Sequence, residues 1–230
     1  MAQRPVFLTM DKRPYFRENY IDFEYFNGFS ESQKRRSIES LHSAFFAIQP
    51  DARVLEISTK SPDSVGVALS AFNLKMLLST GQECSLESAF QASKVFASGG
   101  PYNDLLLCAP WVAKKDPRLR NSGEIIAFQF DGVQFPTEPK TFFYDWLYIN
   151  TVNHNAALKE LILGYNAFTD IEFNPKRSLN CQARSAAIIV SLSLCGLLDQ
   201  ALISPESFLT IVYNETEIIQ KQVGQQLSLF

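Results

Sequence analysis

Histidine and cysteine are scarce: His42, His154 and four cysteines are all that 230 residues contain. This shortage argues against a histidine-rich zinc site, an all-cysteine zinc site and a disulfide framework. Cys84, Cys108, Cys181 and Cys195 show no CxxC spacing, and three have apolar or small neighbours, which predicts buried free thiols. Long apolar runs are missing too. The longest, Ala186 to Leu198, is broken by Ser191, Ser193 and Gly196 and falls short of the ~18–20 residues that span a bilayer. The apolar stretch before Asp11-Lys12-Arg13 is too short for a signal peptide, so the expected location is cytoplasmic, with no membrane partner. Charge of one sign is also lacking. Against 24 Asp+Glu stand 21 Lys+Arg, so no global basic field draws the chain to nucleic acid. No repeat, low-complexity tract or linker divides the chain, which predicts a single domain over residues 1–230. What is abundant is aromatic: 19 Phe, 8 Tyr and 2 Trp, which implies a heavy core, stacking surfaces, or both.

The pattern along the chain predicts an α+β fold, helix-rich with a few short strands. Strands are expected at Val6–Leu8, Ile21–Tyr25, Arg53–Ile57 and Glu124–Phe130, the last stopped by Asp131-Gly132. Ser30-Glu31-Ser32-Gln33 has the spacing of a capping box and opens a helix over 31–47, with Ile38, Leu41, Ala44 and Phe45 on one face. Further helices are expected over 85–97, 141–153 and 156–163, with shorter turns over 109–119. Residues 180–194 are almost wholly apolar and predict a central helix. Asn180 is either its N-cap or a substrate contact.

On a helix over 85–97, Glu87, Gln91 and Lys94 project within an arc of about 60°. Leu86, Ala89, Phe90, Ser93 and Phe96 occupy the core-facing side. An acid, an amide and an amine on one edge form either a solvated polar stripe or the wall of a site. Asp145, between Tyr144 and Trp146, is either paired or functional, because an unpaired buried carboxylate costs several kcal/mol. His42 reads as a satisfied structural histidine and His154 as a surface residue.

Five short blocks in order resemble the NADAR (YbiA-like) superfamily. They are Leu69-Ser70-Ala71-Phe72; Leu86-Glu87 with Phe90-Gln91-Ala92, Lys94 and Phe96; and Ala109-Pro110 with Ala113-Lys114-Lys115. Asn153-to-Leu163 is the fourth, and Asp170 with Asn180, Ala183 and Arg184 the fifth. Two stretches, Asn27-Gly28-Phe29-Ser30-Glu31-Ser32-Gln33-Lys34 and Lys140-to-Tyr148, resemble more specifically the NADAR antitoxins associated with DarT-type DNA ADP-ribosyltransferase toxins. The family's motifs span about 27–195. Ser88 stands where the wider family has His, Ala71 where it has Asn, and Phe173-Asn174 near its Trp-Gly.

The resemblance implies hydrolysis of a C–N glycosidic bond, removing ADP-ribose from the exocyclic amine of guanine in DNA. Its partners would be ADP-ribosylated DNA, read single-stranded or with the base flipped, and the cognate toxin as functional partner. No metal and no organic cofactor is called for. Glu87 would serve as acid or anionic stabiliser. A lysine of depressed pKa offers a Schiff-base route, with Lys94 the first candidate and Lys34 the second. Gln91, Asp145, Asp170 and Asn180 are candidate hydrogen-bonding residues, and Trp146 and Tyr148 candidate base-stacking ones. Basic clusters at Lys34-Arg35-Arg36, at Lys114-Lys115 with Arg118 and Arg120, and at Lys176-Arg177 would form a phosphate-guiding rim if they converge. The competing functions are an N-glycosidase acting on riboflavin-pathway intermediates and a non-catalytic antitoxin that binds its toxin.

Overall fold

Strict alternation along the first strand sets the layers of the molecule. In the computed structural model, which describes residues 1–28 and 30–213, β1 (Ala2–Thr9) pairs antiparallel with β2 (Phe16–Phe23) along its whole length. Val6 and Leu8 point to one side and Phe7 to the other, as a two-residue period requires. On the Val6 side lies α1 (Glu31–Phe46), which buries Ile38, Leu41 and Phe45 against Ile21 and Phe23. The strand β3 (Val54–Glu56) leads to α2 (Ser64–Ala68), then to a hairpin of β4 (Lys75–Leu77) and β5 (Glu83–Ser85). There follow α3 (Leu86–Ala92), β6 (Lys94–Phe96), α4 (Pro110–Lys115), α5 (Arg118–Asn121), β7 (Ile125–Phe130) and β8 (Val133–Phe135). The chain continues through α6 (Phe142–His154), α7 (Ala156–Ile162), β9 (Ala167–Thr169), α8 (Gln182–Leu194), α9 (Leu198–Ala201) and α10 (Pro205–Phe208).

The main sheet runs β2-β1-β9-β3, with β3 parallel to β9 and the other pairs antiparallel. Its second face carries Phe7, Leu55 and Phe168 into the core around α6 and α8. Residues Ala186 to Leu192 of α8 are all buried, which accounts for their apolar character on every side. A smaller sheet, β6-β7-β8, closes the far end, where Phe90, Phe128, Phe135 and Phe143 stack with centroids 4.8–6.1 Å apart. Most of the aromatic surplus is therefore core. Among the described residues no helix is long and apolar enough to cross a membrane.

The mixed α+β fold matches the expectation, and so do the helices at 31–46, 142–154, 156–162 and 182–194. Ser30 caps α1 by accepting a hydrogen bond from the Gln33 amide. Phe29 of the Asn27–Lys34 stretch, and residues 214–230 of the expected domain, lie outside the described residues. Two expectations need correction. The helix over 85–97 stops at Ala92, because the carbonyl of Ser93 accepts the amide of Gln129 and Lys94–Phe96 pair with β7 instead. Sheet pairing with β7 prevails over helical continuation there, at the β-branched Val95. Asn180 is not the cap of α8; Cys181 holds that position and Gln182 starts the helix. Cys84 and Cys181 are buried free thiols as expected, whereas Cys108 and Cys195 are half-buried. His42 is structural: its Nε2–H donates to Thr169 Oγ1 at 2.8 Å, and that hydroxyl donates to buried Glu56 at 2.6 Å. Burial lowers the His42 pKa to about 4 and keeps it neutral.

Asp145 is fully buried and belongs to this frame. Its carboxylate pairs with the Arg184 guanidinium, accepts the Tyr213 hydroxyl, and accepts Ser185 Oγ at 2.6 Å. The pair fastens α6 to α8 and to the segment after α10. Removing one member leaves the other charge buried and uncompensated, so Asp145→Ala should lower unfolding free energy by about 3–5 kcal/mol. Urea denaturation measures it; a loss below about 0.5 kcal/mol, the range of a surface substitution, would contradict the assignment.

Candidate active site

A cleft of about 1370 Å³ opens between the edge of the main sheet, α3 and the β6-β7-β8 sheet. It exceeds the ~300–1,000 Å³ of an ordinary small-molecule pocket. Three local features build its floor. Ser85 caps α3 by accepting the Ser88 amide, and the amide of Glu87 donates to the carbonyl of Ala71. The turn at Leu69–Phe72 is thus tied to the first turn of α3. Gln182, at the start of α8, clamps the same turn: its Oε1 accepts the Ala71 amide at 2.7 Å and its Nε2 donates to the Ile57 carbonyl at 2.6 Å.

The polar stripe is buried rather than solvated. Glu87 is 5% exposed and Gln91 6%. Lys94 Nζ donates to Gln91 Oε1 at 2.6 Å, Gln91 Nε2 donates to Glu87 Oε1 at 2.9 Å, and Lys114 Nζ lies 3.2 Å from the same carboxylate oxygen. The result is an unbroken line, amine–amide–carboxylate–amine, along one wall. Although Lys94 has left the helix, the first residue of β6 starts where the helix would have placed it. Gly100, at φ +85°, lets the turn after β6 pass so close that a Cβ there would meet the Lys94 carbonyl at 2.4 Å. Phe90 lies under the Lys94 ammonium, its centroid 4.9 Å from Nζ. Burial lowers the Lys94 pKa to about 8, the Glu87 charge opposing this and the Lys114 charge adding to it.

The opposite wall carries Lys34, from the first turns of α1. Its Nζ donates to the Tyr25 hydroxyl at 2.9 Å and pairs with Glu172 at 3.1 Å. Burial works against its charge, but the bonds to Tyr25 and Glu172 outweigh it and raise the pKa above the ordinary lysine value. The two candidate lysines thus reach one cleft with pKa values displaced in opposite directions.

Asp170 also lines the cleft, where its Oδ1 accepts the amides of Glu172 and Phe173. Burial, reinforced by the neighbouring Glu56 charge, raises its pKa to about 8, so it holds a proton at neutral pH. Asn180 lines the same space.

Three expected substrate contacts lie elsewhere. Asp145 is committed to its ion pair, as described above. Tyr148 is fully buried, its hydroxyl donating to the Leu69 carbonyl at 3.0 Å. Trp146 packs on Phe135 at 4.9 Å, away from the cleft. Only the first turn of α6 reaches the opening, so Tyr144, buried and edge-on to Phe90 at 5.1 Å, is the tyrosine of that aromatic run that lines the cleft. Sequence reasoning also missed Glu172, Tyr25 and Gln182. Their partners are distant in sequence and no spacing announces them. Ser88 turns away from the cleft and donates to the Cys108 carbonyl at 2.8 Å, which docks the segment before α4.

The basic clusters converge in part. Lys34, Lys114 and Arg177, one from each, line the cleft. Arg35 is held by Glu31, Arg36 lies over Phe26, and Arg118 is held by Asp104 and Asp116. Among the described residues no group of three or more His, Cys, Asp or Glu is placed to hold a metal ion.

Because the Glu87 charge supports the Lys94 ammonium, Glu87→Gln should move the Lys94 pKa below about 8 while leaving Lys34 protonated throughout. Heteronuclear NMR of the lysine ε positions reads both; a Lys94 titration near 10.5, its ordinary value, would refute the wall described here.

The comparisons bear on this arrangement. No curated protein matches the chain. The family described as DarT1-associated NADAR antitoxin matches over residues 2–222, almost the whole length. That span contains the Glu87 wall, the Lys34 wall and Asp170, and the chain belongs to the DarT1-associated NADAR antitoxin family.

Proposed function

We propose that this protein is a cytoplasmic DNA ADP-ribosylguanine glycohydrolase. It would remove ADP-ribose from the exocyclic amine of guanine and so reverse the action of its partner toxin. The single observation that carries this reading is the Lys94–Gln91–Glu87–Lys114 line, buried at Gln91 and Glu87, set in a cleft with lysines on both walls. The cations suit a diphosphate, and the volume suits a nucleotide sugar still joined to a base.

The chemistry follows from the proton states. Opening of the ribose ring creates an iminium between C1 of the sugar and the guanine nitrogen. The free amine of Lys94 adds to C1. The bond from C1 to guanine then breaks as the departing amine takes up a proton, leaving a Schiff base on Lys94. Water adds to that carbon, the C1–Nζ bond breaks, and ADP-ribose leaves. Glu87 stabilises the cationic carbon at each stage, Gln91 holds the Lys94 amine in line, and protonated Asp170 donates to the sugar or to the leaving group.

Lys34 is the less suitable nucleophile, because its contacts with Tyr25 and Glu172 hold it as an ammonium.

Single-turnover release of ADP-ribose from an oligonucleotide carrying ADP-ribosylated guanine tests the proposal. Glu87→Gln should lower the rate about 10²–10⁴-fold, the usual worth of such a group. Wild-type activity confined to a small riboflavin-pathway phosphate ester would defeat the reading. So would a Glu87→Gln variant that still protects cells from the toxin in full, which points to neutralisation by binding. The pH dependence has a definite sign. Activity rises with the free-amine fraction of Lys94 as pH climbs towards about 8, and falls beyond about 8 as Asp170 loses its proton. The two opposing titrations predict a narrow bell centred near 8, and a flat profile from 6 to 10 would contradict them.

A further inference from the structure

Of the two aromatics that the sequence suggests for base stacking, Tyr148 is a core residue and Trp146 is half-buried against the core, away from the cleft, yet the molecule does present a tryptophan to solvent. Trp111 on α4 is 62% exposed, flanked by exposed Val112 and Leu107. Its helical neighbours three and four residues on are Lys114 and Lys115, which share its side of the helix. Lys114 leads from there into the cleft: its Nζ stands 5.0 Å from the Phe72 ring centroid and 3.2 Å from Glu87. Trp111 thus lies about one helical turn, ~5.4 Å of rise, from a residue in contact with the catalytic wall.

Two cations of α4 and α5 stand outside the ion pairs of this segment. The acids nearby, Asp104 and Asp116, are both taken up by Arg118, at 2.6 and 2.9 Å. Lys115 on α4 and Arg120 on α5 are exposed, and neither is in an ion pair among the described residues. An exposed indole beside unpaired cations, joined to a cleft that takes a nucleotide, matches the chemistry of an unstacked polyanionic strand.

We propose that the α4 surface centred on Trp111 is a stacking platform for single-stranded DNA next to the modified guanine. A neighbouring base lies on the indole, and Lys115 and Arg120 meet its phosphates. The inference rests on the hydrolase reading for its biological meaning, but its test does not depend on activity. An indole with a free face favours an unstacked strand, since a duplex keeps its base faces covered by their neighbours.

Fluorescence anisotropy with an end-labelled twelve-nucleotide oligothymidylate, compared with a duplex of the same length, decides it. The wild type should prefer the single strand, and Trp111→Ala should weaken that binding at least about five-fold, the lower end of what one base–aromatic stack supplies. Trp111→Phe should recover most of the loss, and Lys115→Glu should flatten the salt dependence. Both positions are exposed, so folding is expected to survive, which circular dichroism verifies. Equal affinity of wild type and Trp111→Ala for the single strand would overturn the platform, as would tighter binding of the duplex. With modified substrates, Trp111→Ala should raise KM for the oligonucleotide and leave an ADP-ribosylated mononucleoside unaffected. If the wild type cleaves neither substrate, the hydrolase reading fails and the anisotropy result still stands or falls alone.

Discussion

Burying a carboxylate beside two amines constrains everything around it, and Glu87 imposes that constraint here. A carboxylate with so little exposure needs partners. Gln91 and Lys114 supply them, and Gln91 passes the connection on to Lys94. Each partner depends on a different part of the chain. Gln91 comes from the same short helix, Lys94 from the strand that replaces that helix's last turn, and Lys114 from a helix docked through the Ser88–Cys108 bond. The desolvation that makes this line costly in stability is also what brings Lys94 to a pKa of about 8. Stability and reactivity are thus set by the same burial.

The remainder of the fold holds the second wall opposite the first. Alternation in β1 fixes α1 on one face of the sheet and α8 on the other. The capped start of α1 delivers Lys34, and the turn after β9 delivers Asp170 and Glu172. Buried Glu56 lies behind that turn, accepting the Ile171 amide at 2.8 Å, and its proximity helps to keep Asp170 protonated. Gln182 closes the arrangement by bridging β3's end and the Ala71 turn from the head of the central helix. The cleft is therefore supported by secondary-structure elements on both sides, with an amine held firmly charged on one wall and an amine that gives up its proton more readily on the other.

Much of this was legible in the sequence, for identifiable reasons. Periodicity marks the buried face of α1, while α6 and α8 are apolar around most of their surface, and the Glu87–Gln91–Lys94 spacing places the right neighbours together on geometric grounds. It gave the wrong element for Lys94, because the pairing of β6 with β7 joins residues more than thirty apart along the chain. The aromatic run Phe142–Tyr148 misled in a similar way. A helix period places Tyr144 and Tyr148 on one side, but only the tertiary packing tells which of them lines the cleft. The sequence leaves Asp145 either paired or functional, because its partner Arg184 lies in another helix and only tertiary packing joins them. Trp111 carried no signal beyond being one of two tryptophans, since exposure is not a property of a residue type.

The central claim is that an amine on the buried Glu87 wall attacks the sugar carbon of guanine-linked ADP-ribose. Reduction with borohydride during turnover of an ADP-ribosylated oligonucleotide, followed by peptide mass mapping, addresses it directly. The account predicts a stable ADP-ribose adduct on Lys94. An adduct on Lys34 would move the nucleophile to the opposite wall, and guanine release with no adduct on either lysine would contradict the claim.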